Sequence, residues 1–245
     1  MGTTTAVNPL SESTPPGAQT VALRVGSHVV YKERIHTTPA GSVQLLFLDR
    51  STLSIAPNTN LLIDQYVYDP NSNTGHTTIS LTEGALRFVG GKLSHQGAAS
   101  IVTTAATIGI RGGTVTIVHG QDGTRIINHF GTITIQNDGG TTTINRSGFA
   151  VTVHDWNTPP GEPERVTAAE IAHYLNLLTS KPGQDGGVPG FKNAYLDGIG
   201  ALQGIIDADT PPFPMNNGES NAFQIIIQAT QHGTGPIQPP RPRTR

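Results

Sequence analysis

The sequence predicts a mainly β protein, a β-solenoid-like or compact β-sandwich module with a short helical appendage toward its C-terminus. Three observations carry this. Charged residues make up only 13% of the 245, against roughly a quarter in ordinary soluble domains, and the polar mass is Thr, Asn, Gln and Gly. Val, Ile and Thr recur in short alternating runs, the period of a half-buried strand. Gly with Asn or Asp punctuates those runs, supplying the positive φ that tight turns demand.

Residues 1–20 are Thr, Ser, Pro and Gly with little else and read as a flexible leader. Strands follow from Val21 to Val153. Val43, Leu45 and Phe47 alternate, and Asp49-Arg50-Ser51 makes a hairpin turn into Leu53 and Ile55. Leu61, Ile63 and Val67 share one face, with Tyr66 and Tyr68 on the other. Ile79 and Leu81 lead through Glu83-Gly84 to Leu86 and Phe88. The division is a β domain over 21–112 and a β-repeat extension of the same core over 113–156. The extension offers five short strands, at 114–117, 125–127, 132–135, 142–144 and 151–153, with turns at Gln121-Asp122-Gly123, Asn137-Asp138-Gly139-Gly140 and Arg146-Ser147-Gly148.

After Trp156 the pattern changes. Residues 157–210 read as a linker and two helices. Thr167-Ala168-Ala169-Glu170 forms a capping box ahead of the stripe Ala168, Ile171, Ala172, Leu175, Leu178, and Lys181-Pro182-Gly183 stops the helix. A second helix is expected over 192–208. Residues 211–245 form a Pro- and Gly-rich tail containing one apolar run, Ile225-Ile226-Ile227, and a basic end at 239–245.

Chemistry is bounded mostly by what is missing. With 15 basic and 17 acidic residues the net charge is −2, which makes no electrostatic case for nucleic acid. The absence of cysteine removes disulfides, thiolate metal sites and a thiol nucleophile. No apolar stretch approaches the roughly 20 residues of a membrane span. Gly90-Gly91-Lys92 lacks the Ser/Thr and upstream glycine of a phosphate loop, and Gly198 to Gly204 is one residue too long for a dinucleotide fingerprint. Nucleophile elbows, zinc helices and calcium loops are absent. No catalytic residue and no cofactor is assigned. The only metal candidates are His119, His129 and His154 near strand ends, where stacked strands could bring two imidazoles together. Arg111, after Ile108-Gly109-Ile110, is expected to be buried or half-buried against loop carbonyls.

Five ordered blocks resemble the FecR domain family. Ile35-His36-Thr37 is similar to its opening. Leu46-Phe47-Leu48-Asp49 with Leu53-Ser54-Ile55-Ala56-Pro57-Asn58-Thr59 resembles its "F-x-D-G-T-x-L-x-L-x-P-x-S". Ile63-Asp64 and Val67-Tyr68-Asp69-Pro70 resemble a variant of stand-alone members. Glu83-Gly84-Ala85-Leu86-Arg87-Phe88-Val89-Gly90-Gly91-Lys92 resembles the "G-x-x-R/Y-x-x-x-G-K" segment, and Thr103 to Gly112 its "T-P-x-A-x-I-G-I-R-G-T" close. The structural motif residues are thus Asp49, Pro57, Asp64, Gly84, Gly91, Gly109, Arg111 and Gly112. Two positions depart: Arg50 stands where the family has a turn glycine, and Gly113, where it has Thr, is expected to loosen the strand entry.

The resemblance implies a β-rich extracytoplasmic module, in the periplasm, at the cell surface or secreted, after removal of a signal peptide that Met1 to Thr20 does not itself supply. Its best-known members are inner-membrane regulators that pair with a receptor and a sigma factor in iron uptake, and they carry a cytoplasmic helical segment and a membrane span before the domain. The expectation is therefore a non-enzymatic structural or interaction protein, binding a protein partner or itself and self-assembling through β edges or the C-terminal appendage. The alternatives are a sensory or regulatory module related to iron-uptake signalling, binding by strand addition, and a cell-surface carbohydrate-binding module resting on the Tyr66/Tyr68 pair.

Overall fold

The computed structural model describes residues 1–8 and 11–178. The expected second helix at 192–208, the stop at 181–183, the glycines of 198–204, the run at 225–227 and the tail at 211–245 lie outside the described residues.

Fifteen strands form one hydrogen-bonded sheet. In chain order they are β1 (Gly2–Asn8), β2 (Ser11–Thr14), β3 (Val21–Ala22), β4 (His28–Val29), β5 (Arg34–Thr37), β6 (Ser42–Phe47), β7 (Thr52–Ile55), β8 (Thr59–Asp69), β9 (Thr74–Val89), β10 (Ala99–Val102), β11 (Thr107–Gly120), β12 (Gly123–Asn137), β13 (Gly140–Ile144), β14 (Phe149–Val153) and β15 (Glu164–Arg165). Two helices accompany them, α1 (Lys92–His95) and α2 (Ala168–Leu178). Every strand pairing is antiparallel except β9 with β10.

The sheet has two halves, and three long strands belong to both. In the first half β9 runs between β8 and β10, and the early part of β11 lies between β10 and the late part of β12, which β13 flanks. In the second half the late part of β9 lies between β7 and late β11, with early β12 and β14 beyond. β9 crosses at Gly84, β11 at Gly112-Gly113 and β12 at Gly131, and all four have positive φ. At Gly113 a Cβ would lie 1.8 Å from the Phe130 carbonyl oxygen, so no other residue fits that crossing. Gly113 is a requirement of the bend, at which the β11–β12 register shifts between Arg111 and Thr114.

The crossings fold the sheet back on itself, and the inward faces of both halves feed one apolar cluster. Ile63, Ile79, Ile108 and Ile133 from the first half meet Leu45, Leu53, Phe88 and Ile117 from the second. All eight are at most 1% exposed, so each contributes the full stabilisation of a buried aliphatic or aromatic side chain, about 1.5–3 kcal/mol.

Four local expectations need correction. Residues 1–20 hold β1 and β2, not a flexible leader alone: β1 pairs with β6 from Gly2↔Phe47 to Asn8↔Ser42, and β2 with β5. Their partners lie far along the chain, so no local signal marks them. In the extension the expected strands at 125–127 and 132–135 are one strand, β12, continuous through Gly131. In β8 the register shifts between Ile63 and Gln65, so Asp64 forms a bulge. The bulge reverses the face, burying Tyr66 and leaving Val67 exposed. Tyr66 stacks on Phe47 with centroids 5.3 Å apart, which removes one of the two rings a carbohydrate platform would have used.

Helix α2 begins where the capping box predicts, with the Glu170 N–H donating to Thr167 Oγ1 at 3.1 Å. The Glu170 carboxylate, however, grips Arg125 through Nε at 3.0 Å and Nη2 at 3.3 Å. The buried face is accordingly rotated from the expected stripe: Ala168 and Ala172 are exposed. Ile171 and Tyr174 pack on Ile127, Ala150 and Val166, while Leu177 and Leu178 pack on Ala56, Ala85 and Val118. Thus α2 covers part of the outer face of the second half-sheet.

Candidate functional site

The motif residues fall at the two ends of the folded sheet, one marked by Gly113 and the other by Gly84. At the Gly113 end Asp49 is fully buried. Its Oδ1 accepts from the Ser51 N–H (3.1 Å) and hydroxyl (2.6 Å), and its Oδ2 accepts from the Leu93 N–H (3.3 Å). The Tyr66 hydroxyl accepts from the Asp49 N–H at 3.0 Å and lies 3.4 Å from Oδ1. Burial holds that phenol well above its ordinary pKa, so it stays a neutral donor. Asp49 therefore ties the β6–β7 turn to α1 and β8, and Gly91 lets them approach: a Cβ there would sit 2.3 Å from the Ser51 nitrogen. Arg50 occupies the turn with φ of +68°, the left-handed region that a glycine would occupy without strain.

The remaining motif positions divide by role. Gly84 crosses against Thr59, whose Oγ1 would be 2.3 Å from a Cβ. Half-buried Pro57 precedes Asn58 at φ +55°, and its carbonyl accepts from the Thr59 hydroxyl at 3.3 Å. Asp64, at the β8 bulge, pairs with Lys32. Gly109 has room for a side chain, its nearest neighbour for a Cβ being Thr134 O at 3.7 Å, whereas Gly112 bends the strand at φ +67°. Arg111 is exposed. It stands opposite Thr132 on the solvent side of β11, just before the crossing, so the expected burial against loop carbonyls does not occur.

The three histidines are placed apart. His119 is buried, with Nε2 3.0 Å from Thr104 Oγ1 and Nδ1 2.9 Å from Thr124 Oγ1, and burial lowers its pKa. His129 lies mid-way along β12 beside its crossing, its Nε2 2.8 Å from Thr116 Oγ1; burial, then the charge of Arg87, draws its pKa down to about 4. His154 is exposed, with Nδ1 3.2 Å from the Asp122 carbonyl oxygen. Each thus has its own hydroxyl or carbonyl partner, and among the described residues no three His, Asp or Glu side chains gather to hold a metal.

Sequence reading missed the Arg125 cluster, in which one guanidinium meets Glu164, Glu170 and the Thr152 hydroxyl. It also missed the exposure of Leu48 (66%) and Phe130 (59%) at the Gly113 end. For Phe130 the available signal was the adjacent Gly131, whose positive φ marks the β12 crossing.

The buried Asp49 knot and the crossings of β9, β11 and β12 all lie within the span of one family match. The model of the FecR protein family matches residues 33–134. Over that span the chain resembles a FecR domain. The match spans Asp49, Pro57, Asp64, Gly84, Gly91, Gly109, Arg111 and Gly112. No curated protein matches the chain in sequence. Two crystal structures of an anti-sigma factor candidate from Parabacteroides distasonis ATCC 8503 are similar in fold. One is 12% identical with a TM-score of 0.46, covering 58% of this chain and 63% of its own; the other is 11% identical with a TM-score of 0.45, covering 58% and 64%. This chain thus spans less than two thirds of those neighbours' length. No helix among the described residues is long and apolar enough to cross a membrane.

Proposed function

We propose that the chain is a non-catalytic, extracytoplasmic protein-interaction module with a sensory or regulatory role of the kind associated with FecR domains. The observation that carries this is the FecR match over 33–134, combined with the use to which its motif residues are put. Asp49, Gly84 and Gly91 are buried or close-packed framework, holding turns and crossings in place, while Arg111, Leu48 and Phe130 project from the same framework into solvent. That division suits a rigid surface for a protein partner. The antiparallel pairings and the three crossing strands favour the compact sandwich form of the module over the solenoid form. A purely structural or adhesive role is the second reading, supported by the Thr-rich edge strand β13, whose Thr141 and Thr143 are exposed.

Proximity labelling in the native host tests the proposal, with the full chain carrying the label and transcription of the neighbouring genes read in parallel. The regulatory reading expects labelling of one receptor or signalling protein and a change in transcription when the chain is deleted. Labelling confined to cell-wall or matrix components, with transcription unchanged, refutes it.

A further inference from the structure

The near-neutral net charge of this chain conceals a strong separation of sign along the fold. At the Gly113 end lie the β6–β7 turn, α1, the β11 and β12 crossings, the β13–β14 loop and the end of β15. Contacts knit these together: the Gly90 N–H donates to Gly113 O at 2.7 Å, Asn128 Nδ2 to the carbonyls of Gly131 and Arg146 at 2.9 and 3.4 Å, and the Val166 N–H to Gly148 O at 2.9 Å. This end carries Arg50, Lys92, Arg111, Arg146 and Arg165, every one exposed, with exposed Leu48 and Phe130 among them. Its carboxylates among the described residues are each engaged. Asp49 is buried, exposed Asp69 accepts from the Asn71 N–H and the Ser72 hydroxyl of the adjoining hairpin, and exposed Glu164, beside Arg165 in β15, pairs with Arg125.

The Gly84 end is built from the turns at 56–59, 103–106, 120–123, 137–140 and 154–162. The Asp138 N–H donates to Trp156 O at 3.1 Å, and Asn137 Nδ2 to the carbonyls of Ala105 and Asp155 at 3.2 and 3.0 Å. It carries Glu83, Asp122, Asp138, Asp155 and Glu162, all exposed, and among the described residues these turns contain no lysine or arginine.

We propose that the basic Gly113 end docks on the acidic Gly84 end of a second copy of this chain, giving a salt-sensitive head-to-tail association. The occupant is chosen by the complementarity on the molecule itself: five exposed cations and two apolar side chains on one end, five exposed carboxylates around half-buried Trp156 on the other. Since the two ends differ, the contact is heterologous, and successive copies add as an open chain rather than closing as a two-fold dimer. Charge segregation of this kind contributes mostly to encounter and register, so the association is expected to be weak and reversible. It is independent of which partner the regulatory reading requires.

The test is sedimentation velocity on the full chain across a concentration series, at low and at high salt. Mass rises with concentration at low salt, and about 0.5 M salt weakens the association roughly tenfold, because the Debye length drops below the separation of facing charges. Arg111→Glu with Arg146→Glu leaves three of the five cations facing two new carboxylates at the basic end. Asp122→Lys with Asp138→Lys leaves three of the five carboxylates beside two lysines at the acidic end, so each variant loses most of the complementarity on one end and keeps the other intact. Each double variant alone sediments as a monomer at concentrations where the native chain associates, and an equimolar mixture of the two recovers association. Circular dichroism melts matching the native chain establish that both variants fold. A native chain that stays monomeric at low salt, variants that associate as it does, or a mixture that fails to recover overturns the proposal.

Discussion

Replacing Gly84 by alanine tests whether the β9 crossing is built as described. Gly84 has φ of +100°, and a Cβ there would lie 2.3 Å from Thr59 Oγ1, 2.5 Å from Thr59 Cα and 2.6 Å from Asn58 O. Thr59 has little freedom to retreat. Its hydroxyl accepts from the Ala85 N–H at 3.1 Å, and its own N–H donates to Thr37 Oγ1 at 3.0 Å, which donates in turn to Ala56 O at 2.6 Å. The left-handed conformation costs a non-glycine residue about 1–2 kcal/mol, offset by about 0.4–1 kcal/mol of lost unfolded-state entropy. Forcing a methyl into a packed site adds about 1–3 kcal/mol. The expected loss is about 2–4 kcal/mol, a large part of a typical stability of about 5–15 kcal/mol. Gly97→Ala is the control, since Gly97 has φ of +73° with no atom within 4 Å of a Cβ, so only the conformational part applies and the loss is about 1 kcal/mol. Urea unfolding followed by circular dichroism measures both. Equal losses in the two variants would refute the close crossing.

Three further outcomes follow from particular residues. Arg50→Gly should raise stability by about 0.5–1 kcal/mol, because it relieves a left-handed arginine at φ +68°; thermal melts at high salt, where end-to-end contacts are screened, read this as an upward shift, and a downward one refutes it. His129 is held neutral in the fold, with its pKa drawn from 6.5 to about 4. The unfolded chain binds the extra proton between those values, so stability is full above pH 6.5 and falls as pH drops toward 4, by about 3 kcal/mol at most. His119, lowered by burial as well, adds to the same slope. His129→Gln should flatten the urea midpoint against pH over that window, and an unchanged slope refutes the assignment. Glu170→Gln removes the charge facing partly buried Arg125 and should loosen α2 at a cost of about 1–2 kcal/mol. Faster amide exchange confined to 168–178 would report it, and unaltered exchange would refute the tether.

How much of this was legible in the sequence depends on how far each determinant reaches along the chain. The turn at Asp49-Arg50-Ser51, the glycine-bearing loops and the Thr167 cap are local and could be read directly. Strand β1 could not, because its partner β6 lies some forty positions later and a Thr-rich opening looks like a linker. The glycines at 84, 113 and 131 read as strand breaks, yet in the fold they are where a strand passes from one half-sheet to the other. The Asp64 bulge reversed the predicted faces of Tyr66 and Val67, and a one-residue slip of this kind leaves no mark on the alternation that precedes it. The exposure of Arg111 has a similar origin beside the β11 crossing. The Glu170–Arg125 pairing joins residues 45 positions apart, beyond any periodicity argument.

The crossing strands also decide what can fold alone. The family match begins at Glu33 and ends at Thr134, inside β12 (Gly123–Asn137). Excising that span would leave β6 without β1 on one side and early β12 without β14 on the other. It would also discard Ile135, Ile144, Val151 and Val153 from the common core. Because β9, β11 and β12 each spend part of their length in both half-sheets, neither half has a complete set of neighbours until the other is present. The autonomous folding unit is therefore larger than the homology unit, reaching from β1 to at least β14. Its formation must await synthesis of nearly all of that length, so melting should proceed as one cooperative transition rather than in stages.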